Sequence, residues 1–349
     1  MSSYIQMEVV EIKDEAQNVQ VLVLRAENTN LIDFLPGQFI TLFFKSGTKE
    51  IKRAFSISSV PEDLPYIKIA VKSTNESATH LFLNDIKVGS SIKALPPLGN
   101  FTLKKRNIYS DHLFFFGAGS GITPLISIIK SELLRENHTL ITLVYSNHCE
   151  SDIIFNNELD ELCKKYKTRF EMIHVLSSPS NGITSYGGRL DKELLQSILM
   201  IYPKHELFNS DFFMCGPTDY MEMIRKYLID EGIRKSQVHS EDFVVKILQS
   251  NDLSDLHTQE VTIFIDGTKH SIKVQTGETI MQAANKSGLI LPCDCREGRC
   301  GTCKAKLLSG IIQLNNQKAL CEAEIEVECC LTCVGYPVSE DIVVFYDND

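Results

Sequence analysis

The spacing of hydrophobic positions divides the chain into three stretches, and the first is rich in short β-strands. Runs of apolar and β-branched residues, such as 19–24 and 39–44, are separated by turn signals that include Pro36-Gly37. Many short strands with turns between them are typical of antiparallel sheets and barrels. The pattern predicts an antiparallel β-barrel over residues 1–105.

The second stretch shows a longer, alternating pattern. An apolar run at 113–116 leads through a glycine-rich turn into a segment whose apolar residues fall on one helical face. Strands are then predicted at 140–145, 170–175 and 212–215, and helices at 156–165, 192–199 and 219–231. Strands that alternate with helices form parallel sheets, because each helix crosses back over the sheet. Residues 106–245 are therefore predicted to form an α/β domain with a parallel sheet.

The third stretch begins after a polar segment. Residues 246–259 lose the alternation, which predicts an exposed linker. An alternating run at 261–265, a turn at Asp266-Gly267 and a second run at 271–274 predict a β-hairpin. Residues 260–349 are expected to form a domain of their own, so the predicted fold is multidomain.

Composition and charge narrow the class of protein. Hydrophobic residues make up 43% and charged residues 23% of the 349 residues, which is typical of folded globular domains. No apolar run approaches the roughly 20 residues that span a bilayer, and the first ten residues lack the layout of a signal peptide. The net charge of −10 argues against a nucleic-acid partner. We expect a cytoplasmic protein with no membrane span and no nucleic-acid partner.

The cysteines carry the most specific chemical signal. Eight of the eleven lie between positions 293 and 333, and reducing compartments disfavour structural disulfides, so a metal site is indicated. Cys295, Cys300 and Cys303 have the spacing C-x4-C-x2-C, and Cys333 follows after 29 intervening residues. This is the plant-type ferredoxin arrangement for a 2Fe-2S cluster. The alternative is structural zinc, whose thiolates usually come as two C-x2-C pairs.

The loop between these cysteines contains two glycines, Gly298 and Gly301. The backbone must wrap closely around a cluster and direct N–H groups at its sulfurs, which often requires positive φ. The segment 331–333 resembles the closing motif of the ferredoxin family and favours Cys333 over Cys330 as the fourth ligand. The remaining cysteines of this region are predicted not to be ligands; they are Cys293, Cys321, Cys329 and Cys330.

A tetrapeptide in the first stretch resembles the R-x-[YF]-S motif of the ferredoxin reductase superfamily. Its residues are Arg53, Ala54, Phe55 and Ser56. The resemblance implies that Arg53 binds flavin phosphate, that Phe55 packs on the flavin and that Ser56 lies near its reactive nitrogen. These roles suit the residues, because a guanidinium makes bidentate contacts with phosphate and a hydroxyl can hydrogen-bond a ring nitrogen.

Two further segments bear on the flavin. Residues 97–101 resemble the superfamily's P-x-G-x-F segment and favour FAD over FMN. The superfamily's second phosphate segment, G-x-x-[ST], would fall on residues 76–79, where Glu76 replaces the glycine. Ser77 and Thr79 are still expected to contact the pyrophosphate through side chains and backbone N–H groups.

A glycine loop joins the strand at 113–116 to the following helix. Such a loop lets the backbone approach a pyrophosphate while the helix N-terminus faces its negative charge. The form G-x-G-x-G-x-x-P resembles the nicotinamide-binding loop of the same superfamily. The residues that the resemblance assigns to this loop are Gly117, Gly119, Gly121, Thr123 and Pro124.

Two more matches lie at the ends of predicted strands. Cys215, Gly216 and Pro217 resemble a C-G-P segment whose cysteine approaches the nicotinamide ring. Glu241 and Phe243 fall where the superfamily places an acidic residue near the hydride path and an aromatic residue over the flavin. The alternative for Cys215 and Phe243 is ordinary core packing.

The sequence gives a weaker signal for the choice of nicotinamide. No arginine that could hold a 2′-phosphate occurs at 145–148, which favours NADH over NADPH. Ser146 and His148 are the residues that could replace such an arginine.

Together the resemblance covers nearly the whole chain: an FAD barrel, an NAD(P) domain and a β-grasp-like 2Fe-2S ferredoxin domain. It is similar to the oxygenase-reductase branch that serves phenylacetyl-CoA epoxidase and ketosteroid hydroxylase. This implies electron transfer from NAD(P)H through FAD and a 2Fe-2S cluster to a partner oxygenase or hydroxylase, with Ser56, Cys215 and Glu241 around the hydride-transfer site.

The sequence alone leaves two alternative functions open. One is a stand-alone diaphorase-type reductase, and another is a zinc-stabilised, non-catalytic binding module, which Glu76 would favour. Residues 260–349 contain 8 Lys and Arg against 13 Asp and Glu, a net charge of −5. This excess is either an acidic face for a basic redox partner or an ordinary solvated surface.

Overall fold

A computed structural model of the protein describes most of the chain. The described residues are 4–27, 32–46, 49–73, 78–103, 110–135, 138–180, 186–241, 243, 246–249, 257–315, 318–321, 324–325 and 328–346. They divide into two compact units. The long unit consists of residues 5–51 and 55–241, and the C-terminal unit consists of residues 1–4, 52–54 and 242–349.

The first sheet has six strands. They are β1 Ile5–Ala16, β2 Val19–Ala26, β3 Phe39–Ser46, β4 Lys49–Ser56, β5 Tyr66–Lys72 and β6 Ser91–Ala94. Their order is β4-β3-β6-β1-β2-β5, and the pairs β1–β2, β1–β6, β2–β5 and β3–β6 are antiparallel. A bridge between Ile57 and Ile69 joins the residue after β4 to β5, so the two edges meet as in a barrel.

The interior of this barrel follows the alternation in the sequence. Met7 and Val9 on β1 and Leu22 and Leu24 on β2 point into one core with residues of the other strands. Helix α1, Ala78–Asp85, contributes Phe82 to the same core.

The second sheet is parallel throughout, as predicted. Its strands are β7 His112–Ala118, β8 Leu140–Asn147, β9 Phe170–Leu176, β10 Tyr186–Gly187, β11 Ser210–Cys215 and β12 Val238–Glu241. The order is β10-β9-β8-β7-β11-β12. The chain runs outward from β7 through β8 and then returns to its other side at β11. Ligands bind open α/β sheets at such a switch point, at the carboxyl ends of the strands.

Helices cover both faces of this sheet. They are α2 Ile122–Leu134, α3 Asn156–Lys165, α4 Lys192–Leu199, α5 Lys204–Phe208 and α6 Thr218–Asp230. Helix α2 is buried on nearly every side because it lies between the sheet and the barrel. Ser127 Oγ donates to the carbonyl of Ser59 at 2.6 Å, and a Cβ on Gly37 would lie 2.9 Å from Ile128 Cδ1.

The described residues of the C-terminal unit form two smaller sheets and include one longer helix. Its elements are β13 Lys246–Gln249, β14 Gln259–Ile265, β15 Thr268–Val274, α7 Ile280–Lys286, β16 Lys304–Ser309, β17 Ile311–Leu314, β18 Cys329–Leu331, β19 Gly335–Pro337 and β20 Ile342–Phe345. The strand orders are β15-β14-β20-β16-β18 and β13-β17-β19. A mixed sheet with one helix packed on it matches the predicted β-grasp-like class, and the predicted multidomain fold is confirmed.

Local sequence signals explain the turn and the helix start in this unit. The β14–β15 hairpin turns at Asp266 and Gly267, which both have positive φ as the favoured two-residue hairpin turn requires. Thr279 caps α7 by accepting from the N–H of Gln282, whose side chain accepts from the N–H of Thr279.

The segment expected to link the second and third domains is partly a strand. Residues 246–249 form β13, which pairs in parallel with β17. Residues 250–256 lie outside the described residues. None of the helices in the described part of the chain is long and apolar enough to cross a bilayer.

Candidate functional site

Three of the predicted site residues lie side by side at the switch point of the parallel sheet. Cys215, the last residue of β11, pairs with Gly117 on β7 and with Glu241 on β12. All three strands end at this edge, so the glycine loop, a thiol and a carboxylate lie next to one another there. The sheet register therefore brings together residues that are far apart in the sequence.

The loop needs glycine at different positions for different physical reasons. A Cβ on Gly121 would lie 2.0 Å from the carbonyl oxygen of Cys215, and a Cβ on Gly216 would lie 2.9 Å from Ala118 Cβ. These two glycines allow the loop after β7 to pack against the end of β11. Gly119 has a φ of +52°, and no atom lies within 4 Å of the place its Cβ would take. The loop is thus closely packed on its inner side and open at Gly119, as a backbone cradle for pyrophosphate requires.

Two tyrosines that sequence reasoning missed hold this loop. Tyr145 OH donates to the carbonyl of Gly119 at 2.9 Å, and Tyr220 OH donates to that of Gly117 at 3.2 Å. Burial raises the pKa of both phenols, which keeps them neutral donors. For Tyr145 the available signal was its position at the end of an apolar strand run, since buried phenols generally find a partner, whereas Tyr220 lies on α6.

The remaining loop residues stabilise helix starts. Thr123 Oγ1 donates to the carbonyl of Ser120 at 2.9 Å. Pro124 lies in the first turn of α2, where its missing N–H removes no intrahelical hydrogen bond. Pro217 is the N-cap of α6, so that helix begins directly after Cys215 and Gly216.

Ser56 and Glu241 meet in the interior of the long unit. Ser56 Oγ donates to Glu241 Oε2 at 3.3 Å. Their exposed fractions are 6% and 4%, and Cys215 is fully buried. The three residues predicted to be catalytic are thus all buried from solvent in the same part of the long unit.

The other predicted flavin contacts have different surroundings. Phe55 is half-buried against the barrel core, and Thr79 Oγ1 donates to the carbonyl of Lys72 at 3.3 Å. Ala54 is half-buried and Phe243 is 45% exposed. Ser77 lies outside the described residues.

Arg53 belongs to the C-terminal unit in the division of the chain. Its Nη1 donates to the carbonyl of Lys52 at 3.1 Å and to Glu328 Oε2 at 3.0 Å. The side chain is 37% exposed, so the guanidinium is accessible to an anion. Glu328, which is 275 positions away in the sequence, is a partner that no local pattern indicates.

The four predicted cluster ligands form two pairs. Cys303 Sγ and Cys333 Sγ lie 3.2 Å apart, and Cys295 and Cys300 are hydrogen-bonded to each other. Among the described residues, no three ligating side chains converge as they would around one ion. A two-iron cluster takes two thiolates on each iron, so the paired arrangement fits it, whereas zinc would need four thiolates around one centre.

The backbone of the cysteine loop supplies donors to the sulfurs. The N–H groups of Glu297 and Arg299 lie 3.4 Å from Cys295 Sγ. Gly298 and Gly301 have φ values of +70° and +78°, as expected from the sequence. Positive φ at these glycines turns the chain around the sulfurs, and N–H donors of this kind orient cluster ligands.

Hydrogen bonding also favours the ionised form of two of these thiols. The contact with Cys333 lowers the pKa of Cys303 to about 6. Hydrogen bonds from Thr302 lower the pKa of Cys300 to about 7. Iron binds thiolate rather than thiol, so these sites are prepared for a metal. Cys330, by contrast, is buried in the core, and burial raises the pKa of its thiol.

Family models match the three parts of the chain separately. Residues 6–103 match the oxidoreductase FAD-binding domain, residues 115–226 the oxidoreductase NAD-binding domain, and residues 263–338 the 2Fe-2S iron-sulfur cluster binding domain. The predicted cofactors FAD, NAD(P)H and 2Fe-2S are thereby confirmed, and the zinc alternative is wrong.

Whole-chain relatives show the same combination. The ferredoxin reductase component of 3-ketosteroid-9-alpha-monooxygenase from Rhodococcus rhodochrous is 32% identical over 89% of this chain and 87% of its own length. One subunit of the 1,2-phenylacetyl-CoA epoxidase from Escherichia coli is 30% identical over 90% of this chain and 89% of its own. The structure of phthalate dioxygenase reductase, 19% identical, covers 98% of both chains with a TM-score of 0.55 and shares the fold. The chain therefore belongs to the family of NAD(P)H-dependent flavin and iron-sulfur reductases that includes the ferredoxin reductase component of 3-ketosteroid-9-alpha-monooxygenase.

Proposed function

We propose that this chain is the electron-supplying component of a multicomponent oxygenase or hydroxylase. The observation that carries the proposal is the grouping of Ser56, Cys215 and Glu241 beside the glycine loop, in a chain that also holds four cysteines in two pairs. The two relatives are, by name, components of a monooxygenase and of an epoxidase. The acidic excess of residues 260–349 suits a basic partner protein.

The chemistry of electron transfer belongs to the bound groups: a nicotinamide gives an electron pair as hydride, a flavin divides the pair, and a two-iron cluster carries single electrons. The protein contributes position and environment. Gly119 and the start of α2 offer backbone N–H groups and a positive helix end to a pyrophosphate. Ser56 Oγ donates a hydrogen bond to Glu241 Oε2 where burial excludes water.

The other residues of the proposed site are expected to bind and orient the flavin and the cluster. Arg53, Phe55, Ser77 and Thr79 are assigned to the flavin, and Phe243 is assigned to its ring face. Cys295, Cys300, Cys303 and Cys333 are assigned to the cluster. No disulfide joins any of the eleven cysteines, which suits a reducing compartment, and we propose a cytoplasmic location.

The test of this function is a stepwise one. The protein is purified without air, and its flavin and iron-sulfur absorption bands are recorded before and after NADH. We expect both sets of bands to bleach, because the pair of electrons is divided between flavin and cluster. The reduced protein is then combined with fractions from its native host, and NADH-dependent incorporation of oxygen into substrate is measured. Bleaching with no host fraction able to use the electrons would instead indicate a stand-alone diaphorase.

Glu241→Gln should slow the reduction of the flavin by NADH by about 10- to 100-fold. The amide keeps the size of the side chain but removes the charge that receives the Ser56 hydrogen bond. Stopped-flow absorbance measures the rate, and the flavin and cluster content should stay unchanged. Glu222→Gln, at an exposed position on α6, is the matched control. Equal rates in both variants would remove Glu241 from the site.

A further inference from the structure

A cavity of about 190 Å³ lies in the α/β part of the long unit. The last residues of α4 and α6 and the short helix α5 surround it. Since α5 leads into β11, which begins at Ser210, the cavity lies at the edge of the sheet where the strands start. Cys215 ends the same strand, and the two ends of this strand are about 17 Å apart at roughly 3.3 Å per residue. A molecule in the cavity therefore leaves the nicotinamide site free.

The walls of the cavity are mainly apolar. Leu199, Leu228 and Ile233 line its inner side, and they are at most 5% exposed within the core cluster of the sheet. Met200 and Phe208 line its outer side, where they are 74% and 42% exposed. Exposed apolar side chains beside a concave apolar space are typical of a binding site.

One corner of the cavity is polar. Lys204 and Glu231 line it, and Lys204 Nζ lies 3.9 Å from Glu231 Oε2. Tyr227 also lines the cavity and is 6% exposed, and its hydroxyl forms no hydrogen bond with any other residue in the described part of the chain. Burial and the carboxylate of Glu231 raise the pKa of Tyr227, so the phenol is neutral and can both donate and accept. One polar group of a ligand therefore finds a partner here.

The size and the polarity of the cavity define the class of ligand. An apolar cavity of about 150 Å³ in another protein stays dry and binds benzene, so a space of about 190 Å³ accommodates a ring with a substituent. Water needs two to four polar partners, which the leucines and the isoleucine do not supply. A charged molecule would lose its hydration against the same walls. The space therefore favours a neutral ring compound.

We propose that this cavity binds a small neutral aromatic molecule that carries one hydroxyl or N–H group, as phenol and indole do. The ring lies among Leu199, Leu228 and Ile233, and the polar group hydrogen-bonds the hydroxyl of Tyr227 or the carboxylate of Glu231. This site is additional to the reductase site, and it does not depend on the proposed function.

Calorimetric titration of the intact protein with indole and with phenol tests this proposal. We expect one saturable site per chain for each probe. Tyr227→Phe keeps the ring and removes the hydroxyl, so binding should weaken by about three- to tenfold. Tyr166→Phe, at the end of α3 and outside the cavity, is the matched control and should bind both probes like the wild type.

A second variant fills the space instead of removing a polar group. Leu207 is half-buried on α5 and lines the cavity. Leu207→Trp should abolish saturable binding, because the larger side chain occupies the place of the ligand. Leu134→Trp, at a 48% exposed position at the end of α2, is its control and should bind indole normally. All four variants should reduce the flavin with NADH at the wild-type rate, which shows that they are folded.

Three results would overturn the proposal. One is a wild type that binds neither probe with saturation, and another is wild-type affinity in both Tyr227→Phe and Leu207→Trp. The third is a wild-type dimer in sedimentation velocity that Leu207→Trp dissociates, since the cavity would then be an interface between two copies of this chain. None of these results bears on the proposed function, which the bleaching of the flavin tests separately.

Discussion

Cys303→Ser is expected to abolish the iron-sulfur absorption of the protein and to leave its flavin absorption in place. Cys303 is 2% exposed, and its sulfur lies 3.2 Å from that of Cys333. In the paired arrangement this substitution leaves one iron with a single thiolate. A serine hydroxyl does not ionise near neutral pH, so it does not replace a thiolate that is favoured by a pKa of about 6.

The Cys303→Ser substitution should affect electron transfer to two kinds of acceptor differently. Reduction of cytochrome c, a one-electron protein acceptor, should fall by about 100-fold or more, because the route through the cluster is lost. Reduction of a small dye that takes electrons from the flavin should stay within about twofold. Both rates are measured with NADH as the donor on the same preparation, together with iron and flavin content.

Cys321→Ser is the matched control for the cluster variant. Cys321 lies in the same region of the sequence but is exposed, and it is not among the predicted ligands. We expect normal iron content and normal cytochrome c reduction. The ligand assignment would be rejected if Cys303→Ser retained a full cluster, or if Cys321→Ser lost it.

Gly121→Ala should reduce kcat/KM for NADH by about 100-fold, which is the usual cost of displacing a reacting group by about 1 Å. The new Cβ would lie 2.0 Å from the carbonyl oxygen and 2.5 Å from the carbonyl carbon of Cys215, and 2.9 Å from the nitrogen of Gly216. These are backbone atoms at the end of β11, so no side-chain rotation relieves the contact. The glycine loop must therefore move away from Cys215.

The backbone conformation is not the reason for this effect. Gly121 has a φ of −61°, which alanine adopts readily, so the space available is the whole cause. Gly187→Ala on β10 is the matched control, because no atom lies within 4 Å of its added Cβ. Steady-state kinetics and thermal unfolding of both variants measure the difference. Equal kcat/KM values in the two variants would contradict the packing argument.

Most helices and strands could be predicted from the sequence because each follows from a local pattern of apolar residues or turn residues. The helices expected at 156–165 and 192–199 coincide with α3 and α4. The hairpin at Asp266-Gly267 follows from turn chemistry, and the strands around the switch point follow from uninterrupted apolar runs. Local periodicity and turn residues were sufficient for these elements.

The features that were not predicted depend on pairings between distant residues. Ser56 and Glu241 are 185 positions apart, and only the family resemblance placed them in one site. The hydrogen bond from Tyr145 to Gly119 requires the register of β7 and β8, which local periodicity does not determine. Strand β13 was expected to be linker because the alternation lapses into polar residues from Gln249 onward, and it forms by pairing with β17. Tertiary pairing overrides local preference in such segments.

The position of α2 between the sheet and the barrel limits how this chain can be recombined with its relatives. One buried cluster contains Val19 and Val21 of the barrel together with Phe101, Leu113 and Ile129. A chimera joined near residue 105 would divide this cluster between two parents whose side chains have not adapted to each other. Exchange of residues 5–241 as a block keeps the cluster intact. The FAD and NAD(P) parts should therefore be inherited and engineered as a single module.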